Sequence, residues 1–331
     1  MPLAACLNQV RPTPIPLTLT YLNNAPPFSF IGNNFMYRHR FHHPMKMRAQ
    51  CVPCITRRIL MEINEVDPSR EMEVMSQCVK VMADNIYDGV SSSECSTKVH
   101  RKAYEMLGTD PYAKLKEKSN AQASELMPRA REFVETSDDP FRAAVLCSIV
   151  GNVLDYGIDK RLDEPGYLVG HFEDLLKEGL AVDHTPRLRE LLEKAKNIIF
   201  MPDNMGEILF DQLLIEQLRK FDVNITMIVK GEPILTDVTL PDALAMGLDK
   251  QVDKIITTGG FAVGFPFWNM TDELRQALEN ADLIVSKGMG NFECLTETDY
   301  RPLAYLMRTK CQPVAEASGA PLGTSVALVI G

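Results

Sequence analysis

From Lys196 onward, short apolar runs alternate with segments of helical period, and this alternation constrains the fold more than any other feature of the chain. The runs are Ile198–Met201, Asn224–Val229, Lys254–Thr257, Leu283–Ser286, Gln312–Ala315 and Ser325–Ile330. Helical patterns fall between most of them, notably over 206–220, 271–280 and 301–308. Strands separated by helices predict a mainly parallel, Rossmann-like sheet covered on both faces. The junction KNIIFMPDNMGEILFD, Lys196 to Asp211, shows the unit in miniature. Ile198 to Met201 read as a buried strand, and Ile208, Leu209, Leu213, Leu214 and Leu218 follow a period near 3.6. Asp203 and Asn204 lie between them, at the edge where ligands bind in open α/β sheets. An adjacent carboxylate and amide supply hard oxygen ligands of the kind Mg²⁺ or Mn²⁺ takes. The same pair also suits a helix N-cap, and the dipeptide alone leaves both readings open.

The preceding part has a different texture. Residues 47–195 predict a helical domain of about six helices, counted from repeated start signals of Ser or Asp followed by Pro in the first turn. Met72, Met75, Val79 and Met82 predict a buried face within 68–87, Ser93 is a candidate cap, and Asp110-Pro111 and Asp139-Pro140 open further helices. Residues 1–46 are proline-rich and without period, and are expected to be a disordered leader or a mis-annotated start. Residues 196–331 form the α/β domain, so the fold class is α/β with an N-terminal all-helical domain.

Composition removes several function classes. The formal net charge of -9 argues against nucleic acid as the partner. There is no apolar run of about 18 residues, so no membrane span is expected. Eight irregularly spaced cysteines in 331 residues do not make a disulfide scaffold, and the expected location is cytoplasmic. Cys51 and Cys54 form a single CxxC with no second pair to complete a zinc site. Core thiols, a metal site completed from a distance, or a redox pair all remain open, and the pair is expected outside the strand-end clusters.

Four polar clusters could carry chemistry. They are Gly151-Asn152-Val153-Leu154-Asp155; Asp203-Asn204 with Glu207 and Asp211; Lys230 to Asp237; and Lys287 to Glu293, which holds Gly288 and Asn291. The last three follow strands, and parallel strands direct their C-terminal ends to one side, so these clusters should converge. Hard-cation ligands beside lysines and backbone amides are equipment for phosphate-ester hydrolysis.

Gly-Asn-x-x-Asp at 151–155, Pro-Asp-Asn at 202–204, Lys-Gly-x-Pro-x-x-x-Asp at 230–237 and Lys-Gly-x-x-Asn-x-Glu at 287–293 together resemble the damage-control phosphatases. Cys-Val-Pro-Cys at 51–54 and Lys-Cys-Gln-Pro-Val-Ala at 310–315 resemble the family's mostly prokaryotic, CxxC-containing subfamily. The resemblance implies a metal-dependent phosphatase acting on a small phosphorylated metabolite such as a sugar phosphate or nucleotide. It implies a divalent ion (Mg, Mn, Co or Ni) held by Asp203, Asn204 and Asp237, with Asp203 and Asp237 catalytic. It places Lys287 on substrate phosphate, with Asn152 and Asp155 lining the same pocket; Glu207, Lys230, Gly288 and Asn291 are added to the substrate-binding set from their motifs and proximity. The Arg-Thr-x-Lys signature of sugar-phosphate members is absent, since Arg308-Thr309-Lys310 lacks that spacing. The rival functions are an S-adenosylmethionine-dependent carboxyl methyltransferase and a non-enzymatic metal- or nucleotide-binding protein.

Overall fold

The structure is a computed structural model, which describes residues 44–154 and 167–331. Seven strands form one sheet among the described residues, in the order β1-β7-β6-β5-β2-β3-β4. They are β1 (Leu180–Asp183), β2 (Asn197–Met201), β3 (Asn224–Val229), β4 (Lys254–Thr257), β5 (Leu283–Lys287), β6 (Leu303–Arg308) and β7 (Ser325–Ile330). All pairings are parallel except β6 with β7. The α/β class with a mostly parallel sheet is therefore as the alternation predicts.

The helices before β1 are α1 (Cys51–Val66), α2 (Glu71–Asn85), α3 (Ser92–Leu107), α4 (Ala113–Thr136), α5 (Pro140–Gly151) and α6 (Tyr167–Glu178). Then come α7 (Thr185–Leu192), α8 (Glu207–Leu218), α9 (Leu240–Ala245), α10 (Asp272–Glu279), α11 (Gly288–Leu295) and α12 (Gln312–Ser318). Alternating side chains of each strand enter opposite layers, as strand geometry requires. Ile198 and Phe200 of β2 pack with α4, α5 and α8, whereas Ile199 and Met201 pack with α10, α11 and α12. Helices α1 to α3 surround a separate core of Ile55, Ile59, Ile63, Val74, Cys78 and Met82 with Val99 and Ala103.

Several local expectations are corrected. The 301–308 stretch, read as helix, is strand β6, and all its residues from Leu303 to Arg308 are buried. Leu303, Leu306 and Met307 match a helical face, but a short run buried on both sides carries no period that separates the two. Gln312–Ala315, read as strand, opens α12, with Pro313 in its first turn. Leu180–Asp183, inside the stretch read as helical, is β1 at the sheet edge beside β7. On α2 the buried residues are Val74, Cys78 and Met82, while Met72 is 77% exposed. Ser93 does not cap α3; its hydroxyl donates to the Val263 carbonyl. The Asp139 signal holds, since Asp139 Oδ1 accepts from the Arg142 amide at 3.0 Å at the start of α5.

The expected leader lies outside the described residues as far as residue 43. Met45 and Lys46, counted with it, pack on the fold: Met45 is buried, its amide donates to Thr296 Oγ1 at 3.0 Å, and Lys46 pairs with Glu297. No helix among the described residues is long and apolar enough to cross a membrane.

Candidate active site

Strand β2 lies between β5 and β3. The chain leaves β2 toward β3 and β4 on one side, then returns to β5 on the other. This is a topological switch point, where the loops after neighbouring strands diverge and leave a crevice. Pro202 to Asn204 follow β2, and Gly288 opens α11 directly after β5. The loop after β3 folds back as Lys230 to Thr239, where Asn204 and Asp237 form an isolated antiparallel bridge. The Met205 amide donates to the Thr236 carbonyl at 2.7 Å, and the Val238 amide donates to the Asp203 carbonyl at 3.0 Å. The clusters after β2 and β3 thus meet through the backbone, and the cluster after β5 joins them through the Asn291 side chain, whose Nδ2 donates to the Pro202 carbonyl.

Asp203, Asn204 and Asp237 line a cavity of about 390 Å³. Neither Asp203 nor Asn204 caps α8; that helix starts at Glu207 after Gly206, so the N-cap reading of the pair is excluded. Asn204 Nδ2 donates to Asp203 Oδ2 at 2.7 Å and to Glu207 Oε2 at 3.1 Å. Its Oδ1 accepts from Thr236 Oγ1 at 2.6 Å. Gly288 has φ 75°, a left-handed conformation, and a Cβ there would lie 1.9 Å from Asp203 Oδ2. The glycine is what allows the Asp203 carboxylate to seat against the start of α11.

The other residues named from sequence sit beneath or behind this floor. Asn152, 1% exposed at the end of α5, donates from Nδ2 to Asp203 Oδ2 at 3.0 Å and to Glu207 Oε2 at 2.6 Å. Lys287 is fully buried, and its Nζ donates to Asp211 Oδ1 at 2.7 Å, to the Ser148 carbonyl at 3.1 Å and to Glu207. Ser148 Oγ donates to the same Asp211 oxygen at 2.6 Å. Lys230 pairs with Asp237 Oδ2 at 3.2 Å and donates to the Gly264 carbonyl. Asn291 Nδ2 donates to the carbonyls of Pro202 at 3.2 Å and Lys287 at 3.0 Å. Asp155 lies outside the described residues. None of Asn152, Glu207, Lys230, Lys287, Gly288 and Asn291 borders the cavity. The two ammonium groups expected on phosphoryl oxygens have protein carboxylates as direct partners.

Burial sets the electrostatics of the lower layer. Loss of water pushes Asp211 up to about 6, with the Lys287 charge opposing and the Glu207 charge adding. Burial alone lowers an ammonium, but the carboxylates of Asp211 and Glu207 outweigh it, and Lys287 is raised above its usual range.

The structure adds cavity residues that were not selected from sequence. Arg57 and Arg58 come from α1, Glu293 from α11 and Lys310 from the turn before α12. Burial pushes Glu293 up to about 6, against a hydrogen bond from Ser92 and the Arg58 charge. The signal for Glu293 and Lys310 was present at the ends of quoted motifs. Cys51 and Cys54, expected outside the strand-end clusters, border the same cavity. That placement is corrected because the first turn of α1 forms a wall over the strand ends.

The fold and the site define an α/β protein with acidic residues at the sheet's switch point. The damage-control phosphatase ARMT1-like domain matches residues 47–326, and the chain belongs to that family. It is 39% identical over 297 residues to a protein of Archaeoglobus fulgidus named damage-control phosphatase, covering 86% of this chain and all of that one. It is 30% identical over 289 residues to damage-control phosphatase PH1575 of Pyrococcus horikoshii, covering 86% of this chain and 98% of the relative. A crystal structure of PH1575, described as a DUF89 family protein, superposes with a TM-score of 0.77 at 29% identity, covering 87% of this chain and all of that one.

Proposed function

We propose that the protein is a divalent-metal-dependent phosphatase that hydrolyses small phosphorylated metabolites. The observation that carries this is the Asn204–Asp237 bridge, which sets two carboxylates and an amide from two strand ends on the floor of one cavity. The donor set is hard oxygen, which suits Mg, Mn, Co or Ni in the order that availability dictates. Asp203 and Asp237 supply the charge. Asn204 presents its oxygen when its amide turns over; the Thr236 hydroxyl, which accepts as well as donates, then takes Nδ2. A bound ion would polarise the phosphoryl group and lower the pKa of a coordinated water.

The chain's own groups do the rest. Arg57, Arg58 and Lys310 bring positive charge to the cavity wall, where phosphoryl oxygens collect charge during transfer. Lys230 holds Asp237 in place through its ion pair. Lys287 acts one layer down: it neutralises Glu207 and Asp211, and Glu207 in turn accepts from both amides that orient Asp203. The family membership and the relatives' names support phosphatase chemistry over methyl transfer.

The test is a panel of phosphate esters offered to chelated protein with Mg²⁺, Mn²⁺, Co²⁺ or Ni²⁺ restored in turn. Turnover that requires an added ion, and that disappears in Asp237→Ala while the fold persists, is the expected result. Equal turnover with and without chelation overturns the metal, and no turnover on any ester overturns the activity.

A further inference from the structure

Seven free cysteines are described, and their burial sorts them into two groups. Cys78, Cys95, Cys147 and Cys294 are fully buried core residues. Cys51, Cys54 and Cys311 are half-buried, and all three border the catalytic cavity. Two come from the first turn of α1 and the third precedes α12, more than half the chain away. The described thiols that a solute can reach are thus gathered at one place, beside Asp203 and Asp237.

Cys51 and Cys54 are one helical turn apart, which sets their Cβ atoms about 5–6 Å from each other. A disulfide spans about 3.5–4.5 Å between Cβ atoms, so a small tightening of the first turn joins them. That turn has no side-chain cap at its N-terminus, and nothing of that kind resists the movement. The same helix carries Arg57 and Arg58 into the cavity.

We propose that Cys51 and Cys54 form a reversible thiol-oxidation site in the wall of the catalytic cavity. Two S–H bonds break and one S–S bond forms. The two protons and two electrons pass to a peroxide, which leaves as two waters, or to a diffusible disulfide, which leaves as two thiols. Burial pushes the Cys51 thiol up, so it rests protonated and reacts slowly, faster as pH rises. Closure draws in the turn that precedes the arginines on the same helix and so reshapes the cavity. The effect on turnover rests on the phosphatase function proposed above; the chemistry of the thiols does not.

The full chain is treated with hydrogen peroxide or oxidised glutathione at neutral and alkaline pH. Intact mass, peptide mapping and phosphate-ester turnover are followed. The expected result is a loss of about 2 Da, a mapped Cys51–Cys54 link, and reversal by dithiothreitol. Turnover should fall about tenfold on oxidation, the scale of a small displacement of positioning groups, and recover on reduction. Cys51→Ser and Cys54→Ser should each block the mass change, and Cys311→Ser should not. An unchanged mass, a link through Cys311, or a formed link that leaves turnover intact overturns the site. Reduced protein that turns over no ester refutes the proposed function instead, while mass and mapping still decide the thiol chemistry.

Discussion

The cavity floor and the layer beneath it are both built of buried polar residues and differ in whether they border the cavity. Asp203, Asn204 and Asp237 border the cavity, whereas Asn152, Glu207, Asp211 and Lys287 are sealed from it. On the floor, a carboxylate can exchange a protein partner for a group bound in the cavity, which under the proposed function is a metal or a substrate. Beneath it, the fully buried Lys287 has two carboxylates and a carbonyl as partners. Identical chemistry is therefore expected to give activity phenotypes in one layer and stability phenotypes in the other.

The largest effect that would break this contrast is on the floor. Asp203→Asn should lower turnover about a thousandfold, equivalent to about 4 kcal/mol of transition-state stabilisation, while urea unfolding changes by about 1 kcal/mol or less. Steady-state kinetics and unfolding on the same preparation check it; a variant that unfolds readily would merge the two layers.

Lys287→Met should do the reverse. It leaves Glu207 and Asp211 buried without a counter-charge, at a cost of about 3–5 kcal/mol in unfolding free energy. A variant as stable as the parent, with a raised KM alone, would instead move the ammonium group onto the substrate.

Gly288→Ala joins the layers. Its Cβ collides with the Asp203 carboxylate, and the left-handed backbone adds about 1–3 kcal/mol. Loss of both stability and turnover is expected, read by thermal unfolding and kinetics together.

The smallest effect is a slope. Asp211 titrates at about 6 in the fold, above its ordinary 3.8, so the folded state binds its proton more tightly than the unfolded chain does. Its contribution to stability is complete below about pH 4 and is lost as pH rises to about 6. Asp211→Asn should remove that fall. Urea midpoints between pH 4 and pH 7 for both proteins check it, and identical slopes would place the titration elsewhere.

Legibility followed the length scale of the signal. Strands β3, β4 and β7 have the limits read from sequence because each is a short β-rich run bounded by turns or by helical pattern. Helix α5 was marked by Asp139 and Pro140, a cap whose partners lie within three residues. Strand β6 and helix α12 were exchanged because Leu303 to Arg308 are buried on both sides and the signal at Pro313 is local and weak. Strand β1 is four residues long and exists through its pairing with β7, which lies far along the chain.

By itself, the sequence determined the α/β alternation and the polar residues at successive strand ends, because strand period, helix period and Gly, Pro and Asp turn chemistry act within a few residues. It also determined that the clusters holding Asp203, Asn204 and Asp237 would be neighbours, since parallel strands bring their C-terminal ends together. Only the tertiary structure decided which polar groups face the cavity and which are sealed under it. Lys287 follows β5 just as Lys230 follows β3, yet its surroundings are fixed by Ser148 of α5 and by Glu207 and Asp211 of α8. It likewise decided that the first turn of α1 covers the strand ends and brings Cys51 and Cys54 beside Cys311. For these polar groups burial is set by packing between segments distant in the chain, and the local turn chemistry they share does not distinguish a cavity position from a sealed one.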